Sequence, residues 1–153
     1  MLADKTLFEQ IIEKEVFKTL CGDKLGQGIG REVFECSLNK DLVIKIESGS
    51  GSFQNVVEWE TWEEVRETVH AKWFAPCVGI SPCGIVLVQK RTQPMSKRSY
   101  PKEMPNFLAD FKYTNYGKYK GHVVAHDYGR HMLMTNGLTK RMRPVNWTDD
   151  LSY

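Results

Sequence analysis

The chain has no apolar run approaching the roughly 20 residues that a membrane span requires, so a soluble protein with no membrane partner is expected. It has no C-x2-C pair. Its four cysteines, Cys21, Cys36, Cys77 and Cys83, follow no secreted framework, and charged residues stand near the N-terminus where a signal peptide would be apolar. A reduced, cytoplasmic protein is therefore expected. Charge of either sign is nearly balanced, 21 Lys and Arg against 19 Asp and Glu, which argues against a general polyanion-binding surface and a specific nucleic-acid partner. The segments 90–102 and Lys140-Arg-Met-Arg143 are only locally basic. No internal repeat or low-complexity tract is present. With 41% hydrophobic and 26% charged residues in 153, the composition is that of one globular domain and not of a disordered chain.

Thr6-Leu-Phe-Glu9 is a capping-box pattern, and Leu7, Phe8, Ile11, Ile12, Val16 and Leu20 follow at helical spacing. This predicts an amphipathic helix ending near Cys21-Gly22. The period then changes, and Val33-Phe-Glu-Cys-Ser37 and Leu42-Val-Ile-Lys-Ile46, separated by Leu38-Asn-Lys-Asp41, read as a hairpin. Ser48-Gly-Ser-Gly-Ser52 reads as a flexible connector whose last serine is placed to cap a second helix over 53–70. Short strands are expected at Val78-Gly-Ile80 and Gly84-Ile-Val-Leu-Val-Gln89, the second apolar enough for a central position. Pro94, Pro101 and Pro105 make residues 90–105 a connector. Asn115-Tyr-Gly-Lys118 and His122-Val-Val-Ala125 predict a smaller hairpin around Tyr119-Lys-Gly121. The order describes a single α+β domain.

Several groups of residues carry chemistry. Glycines in Leu25-Gly-Gln-Gly-Ile-Gly-Arg-Glu-Val33 would let backbone N–H groups approach a phosphate closely, although a plain hairpin turn has the same composition. Lys45 sits among β-branched residues; facing inward it needs an anionic partner, and facing outward it needs none. On the second helix Glu58 shares a stripe with Trp62, Val65 and Val69, while Glu60, Glu63, Glu64 and Glu67 gather opposite. Glu58 is thus the one acid on an apolar face, and Lys45 is its natural counter-charge. Asp110-Phe-Lys-Tyr-Thr-Asn115 and then Asp127-Tyr-Gly129 place an acid, an amide and a second acid at the spacing used for phosphoryl transfer.

In this order the motifs resemble those of the protein-kinase-like superfamily over residues 25–129, and look most like the small, divergent kinase-like proteins of tailed bacteriophages. The resemblance implies a small lobe of antiparallel sheet plus helix over 23–89, preceded by an N-terminal helix in 1–22. A hinge and connector over 90–107, a catalytic and metal-binding loop and hairpin over 108–129, and a tail over 130–153 would complete a domain with a strongly truncated C-terminal lobe. ATP and Mg²⁺ are the implied cofactors. Gly26, Gly28 and Val33 match the glycine-rich loop, with Gly30 one place from its third glycine, and Lys45 would contact the α- and β-phosphates, held by Glu58. The backbone of Gln89 and Lys90 would hold the adenine, Asn115 and Asp127 the metal, and Asp110 would orient or deprotonate the acceptor hydroxyl. A Ser or Thr hydroxyl of a protein is the expected acceptor, in the host cytoplasm for a phage-encoded chain.

Departures from the pattern qualify these expectations. Arg31 stands at the third glycine position, so the loop covers phosphates less closely or uses the arginine as a clamp. Leu108-Ala109 replaces the His-Arg before the aspartate, and Tyr128 replaces the phenylalanine of the metal motif. Only 18 residues separate Arg91 from Asp110, whereas two helices of about 11 residues with their connections need nearly 30. After Gly129 there are 24 residues and no A-P-E string. The catalytic loop must be braced by the N-terminal helix, the tail or a second subunit, which leaves a homodimer open. The alternative function is a pseudokinase or binding module that inhibits or tethers a host protein without catalysis. His122 and His126 with Cys77 and Cys83 lack a usual zinc spacing, and Trp59, Trp62, Trp73 and Trp147 read as core or interface anchors.

Overall fold

The computed structural model describes residues 6–48 and 53–149. Helix α1, Leu7–Leu20, starts at the expected capping box: the Thr6 hydroxyl accepts from the Glu9 N–H at 3.3 Å, and the Glu9 carboxylate accepts from the Thr6 N–H at 2.7 Å. Its apolar side is not covered by the domain. Leu7 and Phe8 are 70% and 77% exposed, and a link to the sheet is the edge-on contact of Phe17 with Phe34, 5.4 Å between ring centres.

Strands β1, Cys21–Gly28, β2, Arg31–Cys36, and β3, Leu42–Glu47, follow, and then helix α2, Gln54–Val65. Strands β4, Cys77–Ile80, and β5, Val86–Lys90, complete a five-stranded antiparallel sheet in the order β1-β2-β3-β5-β4. The apolar β5 lies between two neighbours, as its sequence indicated. Strand β1 was not expected. It is an edge strand, mostly exposed on both faces, so Cys21-Gly-Asp-Lys-Leu-Gly-Gln-Gly28 carries no alternation to betray it. Gly28 faces Arg31 across a two-residue turn, and Gly30, the second central residue, takes a φ of 77° that glycine adopts without strain.

Helix α2 ends at Val65 rather than near residue 70. The Thr68 N–H and hydroxyl both donate to the Val65 carbonyl, at 2.8 and 2.7 Å, and the chain continues as a 3-10 turn, Val69–Trp73. At its start the N-cap is Phe53, with φ of 51°; the capping expected of Ser52 lies outside the described residues. The Glu47 carboxylate accepts from the Asn55 N–H instead, placing a negative charge at the helix N-terminus.

The second half is small elements joined by long-range contacts. Residues 90–105, expected to be a plain connector, contain β6, Glu103–Pro105, which pairs with β9, Met142–Pro144, from the tail. Strands β7, Tyr116–Tyr119, and β8, His122–Ala125, form the expected hairpin, with both turn residues, Lys120 and Gly121, at positive φ. Helix α3, Leu133–Asn136, is one turn long. The core runs continuously from Val65, Cys77 and Leu87 through Phe74, Phe107 and Tyr128 to Leu133. The fold is mixed α+β. Among the described residues no helix is long and apolar enough to cross a membrane.

Candidate functional site

The register of the sheet lays out one wall of the site. Gly26, Val33, Lys45 and Leu87 are successive cross-strand partners, and Gly28, Arg31 and Glu47 form the next row. Partners directly opposite share a face, so Arg31, Val33 and Lys45 point to the side that α2 covers. A methyl group added at Gly26 or Gly28 would meet nothing within 4 Å, so the approach over β1 is open.

Lys45 is turned inward, 3% exposed, and its ammonium lies 2.8 Å from Glu58 Oε2; Glu58 itself is 0% exposed. The pairing expected between strand lysine and helix acid is present. Glu58 is bound further than a single pair would require. Its Oε1 accepts from Arg31 Nη2 at 2.8 Å and from the Tyr128 N–H at 3.1 Å, and its Oε2 also accepts from Gln89 Nε2 at 3.5 Å. Four donors compensate a carboxylate that burial would otherwise strongly destabilise. Lys45 also donates to the carbonyl of His126, so two of its three ammonium hydrogens are taken by Glu58 and His126.

The strand, the helix and the third motif are therefore tied together through Glu58. Tyr128 is anchored beneath it, its hydroxyl donating to the Ala75 carbonyl at 2.8 Å and lying 3.1 Å from Cys77 Sγ, with its ring edge-on to Phe74. Burial pushes the Cys77 thiol up to about 11. Asp127 keeps one side open, its side chain 45% exposed, while Oδ1 accepts from Arg31 Nη2 at 2.8 Å. Burial alone would raise the Asp127 pKa; Lys45 and Arg31 outweigh it and hold the carboxyl below its ordinary value.

The Asp110 loop meets the same place. Asn115 accepts through its carbonyl from the N–H groups of His126 and Asp127, at 2.9 and 3.2 Å. Its side-chain Nδ2 donates to the carbonyl and to Oδ2 of Asp110, both at 3.0 Å. Asp110 has φ of 53°, a left-handed conformation that costs a non-glycine residue about 1–2 kcal/mol, and these bonds help to hold it. His126 braces the loop from behind. Its Nε2–H donates to the Thr114 carbonyl at 2.6 Å, so its Nδ1 accepts from the Thr92 hydroxyl at 2.7 Å and the ring is neutral. Burial and the Lys45 charge lower its pKa accordingly.

Sequence reasoning singled out neither the Asn115 to Asp110 bracing nor Lys112, whose ammonium is 3.8 Å from Asp110 Oδ1. It also placed the backbone of Gln89 and Lys90 at the adenine. In the structure the Gln89 side chain is fully buried against Glu58 and Cys77, and the Lys90 N–H donates to the Pro76 carbonyl. The structure thus links Lys45, Glu58, Asp110, Asn115 and Asp127 through shared contacts, and the Gln89 side chain lies in the core beneath them.

For a metal, the available atoms are the open side of Asp127 and Asn115 Oδ1, since Asn115 Nδ2 is committed to Asp110. Hard oxygen donors of this kind suit Mg²⁺, which keeps most of its waters and takes one or two protein ligands. No group of three or more His, Cys, Asp or Glu able to hold a metal exists among the described residues, so neither an all-protein cage nor a zinc cluster from Cys77, Cys83, His122 and His126 is formed. Comparison with protein-family models, curated proteins and solved structures finds no match to this chain.

Proposed function

We propose that this protein is a minimal protein-kinase-like, ATP- and Mg²⁺-binding phosphotransferase that passes the γ-phosphoryl group to a hydroxyl, a Ser or Thr on a protein. One observation carries the reading. The buried Glu58 carboxylate joins Lys45 of β3 to the backbone of the Asp127-Tyr-Gly129 motif, while Asn115 fixes Asp110 in a left-handed conformation beside them. These are the groups, from four separate segments, that phosphoryl transfer uses for phosphate binding, metal binding and nucleophile orientation.

In this reading the free hydrogen of Lys45 meets the α- and β-phosphates, and the open glycine edge of β1 admits them to the sheet face. Asp127 and Asn115 would hold Mg²⁺, which when bound neutralises charge on the phosphate oxygens. Asp110 orients the acceptor hydroxyl, with the Lys112 ammonium beside it. In the same reading, β6, β9 and the loops around them would stand in for the absent helical brace.

The test begins with thermal stabilisation by ATP, with and without Mg²⁺, and phosphotransfer measured on the same preparations. Stabilisation strengthened by Mg²⁺ and transfer abolished in both Asp110→Ala and Asp127→Ala are expected; transfer that survives either substitution refutes the assignment. The alternative, a non-catalytic module that binds a protein target, is favoured by the occupation of Asp127 by Arg31. It predicts no Mg²⁺ effect and no transfer.

A further inference from the structure

Arg31 stands where a glycine-rich phosphate loop would place its third glycine, and its side chain reaches from the start of β2 into the site. Nη2 donates at 2.8 Å both to Glu58 Oε1 and to Asp127 Oδ1, and Nη1 donates to Asn55 Oδ1 at 3.3 Å. Asn55 is held in turn, its amide donating to the carbonyls of Lys45, Gly84 and Ile85. Arg31, Lys45, Glu58 and Asp127 carry two charges of each sign and cancel. A divalent cation approaching Asp127 meets a guanidinium already on one carboxylate oxygen.

The two ends of the bridge differ. Toward Glu58 the contact is buried on both sides, 4% and 0% exposed, and Asn55 supports it; toward Asp127 the carboxylate is 45% exposed. Opening the second bond alone leaves Arg31 anchored. A guanidinium is a planar fork suited to phosphate oxygens, and Arg31 directly follows the Ile29-Gly30 turn that borders the open glycine edge.

We propose that Arg31 is a resident counter-cation of Asp127, that Arg31 and a divalent metal compete for this carboxylate, and that the metal enters together with a nucleotide polyphosphate whose oxygens give the guanidinium a new anion. The proposal rests on the nucleotide-binding reading above and makes Arg31 a phosphate ligand and a gate on metal entry. Without phosphate the site discriminates against free Mg²⁺; with it, Arg31 and the metal are recruited as a set.

The experiment measures Mn²⁺ binding by titration calorimetry to the full chain and to Arg31→Gln, with no nucleotide present. Arg31→Gln is expected to bind Mn²⁺ at least tenfold more tightly, and Arg31→Gln with Asp127→Asn to lose the gain; equal affinities of the first two proteins overturn the competition. Should Arg31→Gln fail to fold, side-chain ¹⁵N resonances of Arg31 in the unaltered protein decide. Millimolar Mg²⁺ alone is expected to leave them in place, and Mg²⁺ with a non-hydrolysable ATP analogue to shift them. Movement with Mg²⁺ alone, or analogue binding without movement, overturns the proposal. Absence of analogue binding overturns the nucleotide reading and the role of Arg31 as a phosphate ligand, while the Mn²⁺ comparison still decides the competition.

Discussion

Glu58 accepts from two cations, one amide and one backbone N–H, all within a region closed to water. Breaking a buried ion pair by removing one partner costs about 3–5 kcal/mol, because the abandoned charge stays buried. Glu58→Ala is therefore expected to lower stability by about that amount, read as a shift of the urea midpoint at constant slope; an unchanged midpoint contradicts the burial of the pair. Half of this arrangement was legible in the chain. Glu58 is the single acid on the apolar stripe of its helix, and Lys45 the single lysine within a β-branched run. The contribution of Arg31 was not, because its partners lie 27 and 96 residues away and a departure from a glycine pattern does not say where the new side chain points.

Elements are joined here by small polar contacts that sequence periodicity does not report. His131 links the segment before α3 to α2: its Nδ1 accepts from the Leu133 N–H at 3.3 Å, so its Nε2–H donates to the Thr61 hydroxyl at 2.8 Å, which passes its own hydrogen to the Val57 carbonyl. The neutral ring is required, and burial lowers the His131 pKa. A histidine with a depressed folded pKa binds fewer protons folded than unfolded. Its stabilisation is complete above the unfolded value of about 6.5 and is lost as pH falls from there through the folded value. Denaturation midpoints should decline below about pH 6.5, less steeply in His131→Gln, with the remaining slope carried by His126, whose pKa is also lowered. Between β7 and the segment after β5, a Cβ at Gly117 would stand 2.5 Å from Thr92 Oγ1 and 3.0 Å from the Gln93 carbonyl. Gly117→Ala should cost about 1–3 kcal/mol and disturb the Thr92 to His126 bond, a loss to be read by thermal denaturation. The hairpin of β7 and β8 was visible in its alternation and its Lys-Gly turn. Strands β6 and β9 were not, since three-residue strands containing proline and paired across 37 residues or more carry no local period.

For the molecule as a whole, the tail acts as the brace. Trp147 is packed among Tyr100, Phe111, Tyr113 and Tyr116, and its indole N–H donates to the Pro101 carbonyl at 2.7 Å. Arg143 donates to the Leu108 carbonyl at 2.7 Å and lies over the Phe111 ring, and the Thr148 backbone bonds to both Phe111 and Tyr113. Apart from those to Tyr100 and Pro101, these contacts fall on residues 108–116, around Asp110. Trp147→Ala is expected to cost about 2–3 kcal/mol, below the range for a fully buried tryptophan, and, under the proposed nucleotide-binding function, to weaken ATP affinity measured by thermal stabilisation in the presence of Mg²⁺. Affinity unchanged at that loss of stability would show that the Asp110 loop holds its shape alone. Of the three supports considered for the Asp110 loop, the N-terminal helix, the tail and a second subunit, the tail is the one that touches it among the described residues, while α1 leaves its apolar side uncovered.

The crowding of donors on one carboxylate has a consequence for how this protein can change. Arg31, Lys45, Gln89 and the Tyr128 backbone share Glu58, so the cost of altering any one of them depends on which others remain. Loss of Arg31 while Lys45 persists leaves Glu58 one cation, whereas loss of both strands it. Substitutions in this group are therefore order-dependent, and the routes by which the cluster could drift to a glycine at position 31 pass through a few permitted sequences of steps rather than through independent single changes.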